Sequence, residues 1–276
     1  MRLKVSYSIL ICVFLSVLSW RCHQSDPPAV KATIPTDTAV FTPSTTYTGV
    51  CIGNSIIAGF PWRQSGLELG ILDLPDTVGQ PAYRLTQLTR FQWFDRGWVA
   101  QTTDQIRARF LRDAIGDSSN PGDGRGAVTL SRKPDYVVME GGVNDIKAGV
   151  PLDTIETNLT WMASTLKQNN IHVIVLNCIG EGNGAFNQTQ TDKVTALNAW
   201  LAAGALDSTG ATIVDINSLW NSGTYGGVSP YGNDNIHYSD LVWSGDGLHF
   251  TPDGYTIMAD AIFRVANLAK TSKFIR

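Results

Sequence analysis

Cysteine is scarce. The 276-residue chain has four, and Cys12 and Cys22 fall within or just beyond the first twenty residues. The other two, Cys51 and Cys178, sit inside apolar runs, which excludes a disulfide-stapled scaffold and a thiolate metal site. Histidine is equally sparse: His23, His172, His237 and His249 show no ligand spacing, so neither a metal nor a cofactor is expected. An excess of positive charge is also missing, with 21 basic residues against 24 acidic ones. Arg2, Lys4 and Arg21 lie in the first 22 residues, leaving 18 basic residues against 24 acidic in the rest. A mildly acidic domain without a basic stripe excludes nucleic acid as the main partner. Charged residues make up only 16% and hydrophobic ones 43%, which suits a packed core and not a disordered chain.

No apolar run reaches bilayer length. Ile9 to Leu18 is nearly continuous, broken by Cys12 and Ser16, and follows the charged start Arg2 and Lys4. A membrane span needs roughly 20 residues, whereas this length is that of a signal-peptide core. Residues 1–21 are therefore expected to be a signal peptide, and the protein to be exported. Cys22 is a candidate lipid anchor, although Ser19 and Arg21 stand where a lipoprotein signal wants Leu and a small residue. Residues 22–46, rich in Pro, Thr and Ala, read as a tether, and 47–276 as the folded domain. That length lies near the upper size of a single domain.

From Tyr47 onward, apolar runs alternate with helical stripes. Strands are predicted at Thr48–Gly53, Phe91–Phe94, Tyr136–Glu140, Ile171–Cys178 and Thr212–Ile216. Short continuous runs of this kind suit parallel strands covered on both faces. The intervening stripes are Ile106/Phe110/Ala114, Ile155/Leu159/Met162/Leu166 and Val194/Leu197/Leu201. A last helix opens with Thr251 as N-cap, Pro252 at the first helical position and Asp253 in the first turn. Its stripe is Met258, Ile262, Val265 and Leu268 or Ala269. Strand–helix alternation predicts a doubly wound α/β sandwich. Phe60–Arg90 and Asn217–Gly245 exceed ordinary connections, and such lengths are often functional.

Ligands of open α/β sheets bind beyond the carboxyl ends of the strands. Polar residues stand at those places. Ser55 follows the first strand and is the candidate nucleophile; a serine hydroxyl needs an adjacent base. His249 supplies a ring that can take the proton, and Asp246, three residues earlier, can hold its tautomer. The backbone N–H groups of Ser55 and Gly97 and the Asn144 amide are the candidate oxyanion donors. Taken singly, Ser55 reads as a helix cap, Gly97 as a turn glycine, Asn144 as a turn amide, His249 as a surface histidine and Asp246 as a loop acid. Their joint order, each at the edge of an element, favours acyl transfer. Asp215 is the next acid in line should Asp246 not serve.

These blocks resemble the SGNH hydrolases, or GDSL lipase/esterase superfamily, over about residues 47–270. The blocks are Gly53-Asn54-Ser55, the run Asp95 to Thr103 beginning Asp95-Arg96-Gly97, Gly142-Val143-Asn144-Asp145, and Asp246-Gly247-Leu248-His249. The resemblance implies a catalytic set of Ser55, Asp246 and His249, with Ser55, Gly97 and Asn144 as the oxyanion hole. It implies a three-layer α/β/α sandwich with a mostly parallel five-stranded sheet in the flavodoxin-like order 2-1-3-4-5. Asn54 stands where many members have Asp, and Ala100 where glycine is frequent. An α/β-hydrolase elbow, Gly-x-Ser-x-Gly, is excluded by Ile57. In that strand order the third strand separates Cys51 from Cys178 by roughly 9–10 Å, beyond the ~7 Å a disulfide tolerates, so both thiols are expected to stay reduced.

The implied activity is an exported esterase acting on a small-molecule or glycan ester, with short acyl groups such as acetyl. Trp220, Tyr225, Tyr231, Tyr238 and Trp243 lie in the long loop before Asp246. They either stack on sugar rings or pack the loop onto the domain. An acyltransferase with the same triad, and a catalytically silent carbohydrate-binding module, are the other readings.

Overall fold

Apolar runs such as Tyr136–Met139 pair into a sheet because both of their faces are hidden from water. The computed structural model describes residues 44–60, 80–117, 119, 130, 132–180, 186–218 and 247–268. The leader, Cys22, most of the tether, the five loop aromatics and Asp246 lie outside the described residues. All described residues belong to the compact unit Thr42–Arg276.

The strands are β1 (Ser44–Gly53), β2 (Phe91–Gly97), β3 (Tyr136–Met139), β4 (His172–Leu176) and β5 (Thr212–Val214). They form one sheet in the order β2-β1-β3-β4-β5, with every pairing parallel. That is the order expected. The helices are α1 (Pro81–Thr89), α2 (Thr103–Ile115), α3 (Val143–Lys147), α4 (Leu152–Gln168), α5 (Gln188–Ala202) and α6 (Pro252–Val265). Helix α1 packs on α6, while α2 packs on α4 and α4 on α5, giving the outer layers of an α/β/α sandwich.

The strand limits depart from hydropathy in an instructive way. β2 runs on to Gly97 instead of ending at Phe94, because Cys51, Ile52 and Gly53 of β1 pair with Asp95, Arg96 and Gly97. Backbone pairing continues through polar side chains that are themselves buried. β1 begins at Ser44, not Thr48, across a register shift between those two residues. Helix α1 lies inside the predicted Phe60–Arg90 connection and starts with Pro81 in its first turn.

The predicted stripes become the helix undersides. Ile106, Phe110 and Ala114 on α2 are fully buried, as are Ile155, Met162 and Leu166 on α4. The central strands contribute Ile52, Val137, Val138 and Met139, all with no exposed surface. Burying each such side chain stabilises the fold by up to about 1.5–3 kcal/mol. A charge at Val138 would break this layer. Cys51 and Cys178 are both buried, and neither is in a disulfide. Among the described residues no helix is long and apolar enough to cross a membrane.

Candidate active site

Parallel strands all end on the same edge of the sheet, and four separate chain segments deliver polar groups there. After Gly53 the chain turns tightly: the Ala58 N–H donates to the Asn54 carbonyl at 3.1 Å, and the Phe60 N–H to the Ser55 carbonyl at 3.1 Å. Gly97 closes the same edge from β2. A Cβ there would sit 2.6 Å from Ala58 Cα and 2.7 Å from the Ile57 carbonyl carbon. Only glycine lets β2 approach the serine turn this closely.

His249 reaches the turn from the far end of the sequence. Thr251 Oγ1 accepts the Gly254 N–H at 3.1 Å, and Pro252 opens α6, so the helix start is capped as its sequence predicts. His249 Nε2 lies 2.7 Å from Ser55 Oγ, with both residues buried. The Tyr255 hydroxyl donates to the Phe60 carbonyl at 2.8 Å, and the Phe60 ring leans on the His249 ring at 4.7 Å between centroids. A serine hydroxyl within hydrogen-bond reach of an imidazole nitrogen is the geometry that a nucleophile and its base require.

The other predicted groups have partners of their own. The Gly97 N–H donates to Asp95 Oδ1 at 2.6 Å. Asn144 sits in the first turn of α3, after Gly142 at φ +125, where a side chain would be strained. Its Nδ2 donates to the Gln101 carbonyl at 2.9 Å, which leaves the second amide hydrogen for another acceptor. Asp246 lies outside the described residues. Asp215, the alternative acid, accepts from Asn177 Nδ2 at 2.7 Å and from both the N–H and the hydroxyl of Ser218. Burial pulls its carboxyl upward, but these hydrogen bonds outweigh that and hold it below the ordinary value.

A family model described as GDSL-like Lipase/Acylhydrolase family matches residues 51–257, the span that holds every described group above. The chain belongs to this family. It is accordingly a hydrolase of ester bonds. The acetylxylan esterase Axe2 of Geobacillus stearothermophilus superimposes with a TM-score of 0.54 at 17% identity, over 79% of this chain and 93% of that one. LAE5, an alpha/beta hydrolase enzyme from the metagenome of Lake Arreo, Spain, gives 0.56 at 17% identity, over 83% and 98%. At such identities the likeness is one of fold. A search of curated protein sequences gave no match.

Three buried charges that the sequence motifs pass over brace the GDSL-family site. The Arg109 guanidinium, with no exposed surface, donates to Gln101 Oε1 at 2.7 Å, to Asp113 Oδ2 at 2.9 Å and to the Gly53 carbonyl at 3.0 Å. It thereby ties the strand end before Ser55 to the loop that holds Asn144. Asp145 accepts the Thr103 N–H at 2.9 Å and its hydroxyl at 2.6 Å, placing a carboxylate at the start of α2. Burial pushes its carboxyl above the ordinary value despite those bonds. Glu140 accepts from Asn54 Nδ2 at 3.1 Å. Burial first, then repulsion from Asp145, push it up to about 7 against the hydrogen bonds from Asn54. Arg109 and Asp113 fall on the same stripe as Ile106, Phe110 and Ala114, a visible signal that their charges are internal.

Proposed function

We propose that this chain is an exported serine esterase that removes short acyl groups, such as acetyl, from a carbohydrate or small-molecule alcohol. The observation that carries the reading is the 2.7 Å contact between His249 Nε2 and Ser55 Oγ at the sheet edge. In the proposed reaction, His249 takes the Ser55 proton as Oγ attacks the ester carbonyl. Asp246 holds the ring and supports its positive charge. The oxyanion of the tetrahedral intermediate is met by the Ser55 N–H, the spare Asn144 amide hydrogen and the Gly97 N–H. To serve, the Gly97 N–H must turn from Asp95 Oδ1 to the substrate oxygen. His249 then returns the proton to the departing alcohol. Water, deprotonated by the same ring, attacks the acyl-enzyme and frees the acid.

Two features support the short acyl group and the carbohydrate. The aromatic-rich stretch before Asp246 suits stacking on sugar rings, and one protein of the same fold is named an acetylxylan esterase. The test is a p-nitrophenyl ester series of rising acyl length, followed by acetate release from acetylated polysaccharides. Turnover should peak at the shortest chains. A long-chain optimum overturns the substrate assignment, and transfer to an added alcohol in preference to water makes the enzyme an acyltransferase. Export through residues 1–21 is checked by the N-terminal sequence of the mature protein, which should begin at or near Cys22.

A further inference from the structure

Glu140 is 1% exposed, and its carboxyl group faces the turn that carries Ser55. Its Oε1 accepts Asn54 Nδ2–H at 3.1 Å, and its Oε2 lies 3.5 Å from the Asn54 backbone nitrogen, a long contact from a second donor. Asn54 Oδ1 in turn accepts the Ile56 N–H at 2.9 Å. One carboxylate thus grips the residue before the nucleophile, and the gripped amide grips the residue after it. Ser55 is held between them. The side-chain hydrogen bonds of Glu140 and Asn54 run to each other and to Ile56, and the catalytic steps leave both side chains unused.

We propose that Glu140 and Asn54 act as a coupled positioning pair, in which ionised Glu140 sets the Ser55 turn and a proton on Glu140 loosens it. The proposal rests on the esterase reading and concerns the regulation of that same site. A carboxylate offers only acceptors, matching the two Asn54 N–H donors. A carboxylic acid turns an O–H donor against one of them, and the turn loses a restraint. Burial pushes the Glu140 carboxyl up to about 7, which brings the change into the neutral range. Around it stand Asp145 of α3, which pushes its carboxyl upward, and the buried Cys178 thiol beyond β4. The thiol is itself held well above its ordinary range by burial and by the two acids, and stays neutral. Arg109 of α2 reaches the neighbouring Gly53 carbonyl but is already paired with Asp113. The pairing also dictates an amide at 54. An Asp there would set two carboxylates about 3 Å apart, and like charges at that distance do not both ionise.

The test compares the wild type with Glu140→Gln, Asn54→Asp and the double variant. Ester turnover is followed from about pH 5 to about pH 9, with melting temperatures for all four proteins. In the wild type, protonation of Glu140 adds one proton to the acid limb of kcat/KM, so that limb is steeper than one proton allows. Glu140→Gln should reduce that limb to a single proton, with kcat down roughly tenfold and KM little changed. Asn54→Asp should lose roughly a hundredfold, and the double variant should recover most of it, since an acid at 54 then faces an amide at 140. A wild-type limb already limited to one proton, an acid limb unchanged in Glu140→Gln, or a double variant equal to the sum of its parts, overturns the pair. An inert wild type overturns the esterase reading instead. The melting temperatures then decide the pair: non-additive shifts support it and additive ones overturn it.

Discussion

Ser55 Oγ and His249 Nε2 stand 2.7 Å apart across 194 residues of sequence. The contact depends on α6, whose Tyr255 holds the Phe60 carbonyl while the Phe60 ring flanks the imidazole. Ser55→Ala and His249→Ala should each lower kcat by several decades, and the double variant should be little worse than either, because the two act as a unit. Asp246→Asn should cost less than His249→Ala. Multiplying rather than saturating losses in steady-state kinetics of the purified variants would mean the two side chains act separately.

Asn144→Ala should reduce kcat by roughly two to three decades with KM nearly unchanged, because an oxyanion donor matters most once charge has developed. The side chain also braces the Gln101 carbonyl, so the variant's melting temperature should be recorded beside its kinetics. A defect confined to KM would make Asn144 a ground-state substrate contact.

Gly97→Ala should destabilise the protein on the order of 3 kcal/mol, since the new methyl would meet backbone atoms of Ile57 and Ala58 that cannot rotate away. The cost falls on the serine turn itself, so activity should fall with it. Thermal unfolding measures this directly, and an unaltered melting temperature would show that β2 and the turn have slack.

Stability should carry the mark of Glu140. Its carboxyl is raised from 4.5 to about 7, so between those values the folded chain keeps a proton that the unfolded chain has released. The stabilisation is complete below about 4.5, declines as pH rises and is gone above about 7, a loss on the order of 3 kcal/mol. Urea unfolding of the wild type across that window should show the decline relative to Glu140→Gln, which has nothing to ionise. Parallel curves for the two proteins would place the raised carboxyl elsewhere.

The sheet order and the stripe residues of the larger helices were legible because burial writes itself as apolar periodicity. The end of β2 was not, since Asp95 and Arg96 look like loop residues until the backbone ladder from β1 is seen to continue beside them. Helix α1 escaped because Gln80, Pro81 and the polar Arg84 and Thr86 mask its short apolar face. At the candidate site, motif blocks singled out Ser55, Gly97, Asn144 and His249, of which the structure brings Ser55 and His249 into contact. Glu140 ends an apolar run, and Arg109 interrupts an apolar stripe; both are charges at positions where periodicity demands burial. Such misplaced charges mark braces, yet only the folded contacts reveal what they hold. Ala100 illustrates the reverse case: it stands where the family pattern favours glycine, and its φ of +62 shows the backbone has kept the glycine-like conformation. That conformation costs an alanine about 1 kcal/mol.

The route by which His249 arrives also sets a timetable. A ribosome delivers Ser55 early and α6 after all five strands, so the growing chain carries its serine for most of synthesis with no base beside it. In the proposed mechanism, hydrolysis begins only when α6 docks, brings its capped start to the sheet edge and sets Phe60 against the imidazole. The same mechanism expects a product halted before residue 249 to be inert toward esters however much of its sheet had formed. On the proposed assignment, the docking of α6 is thus the event that arms it.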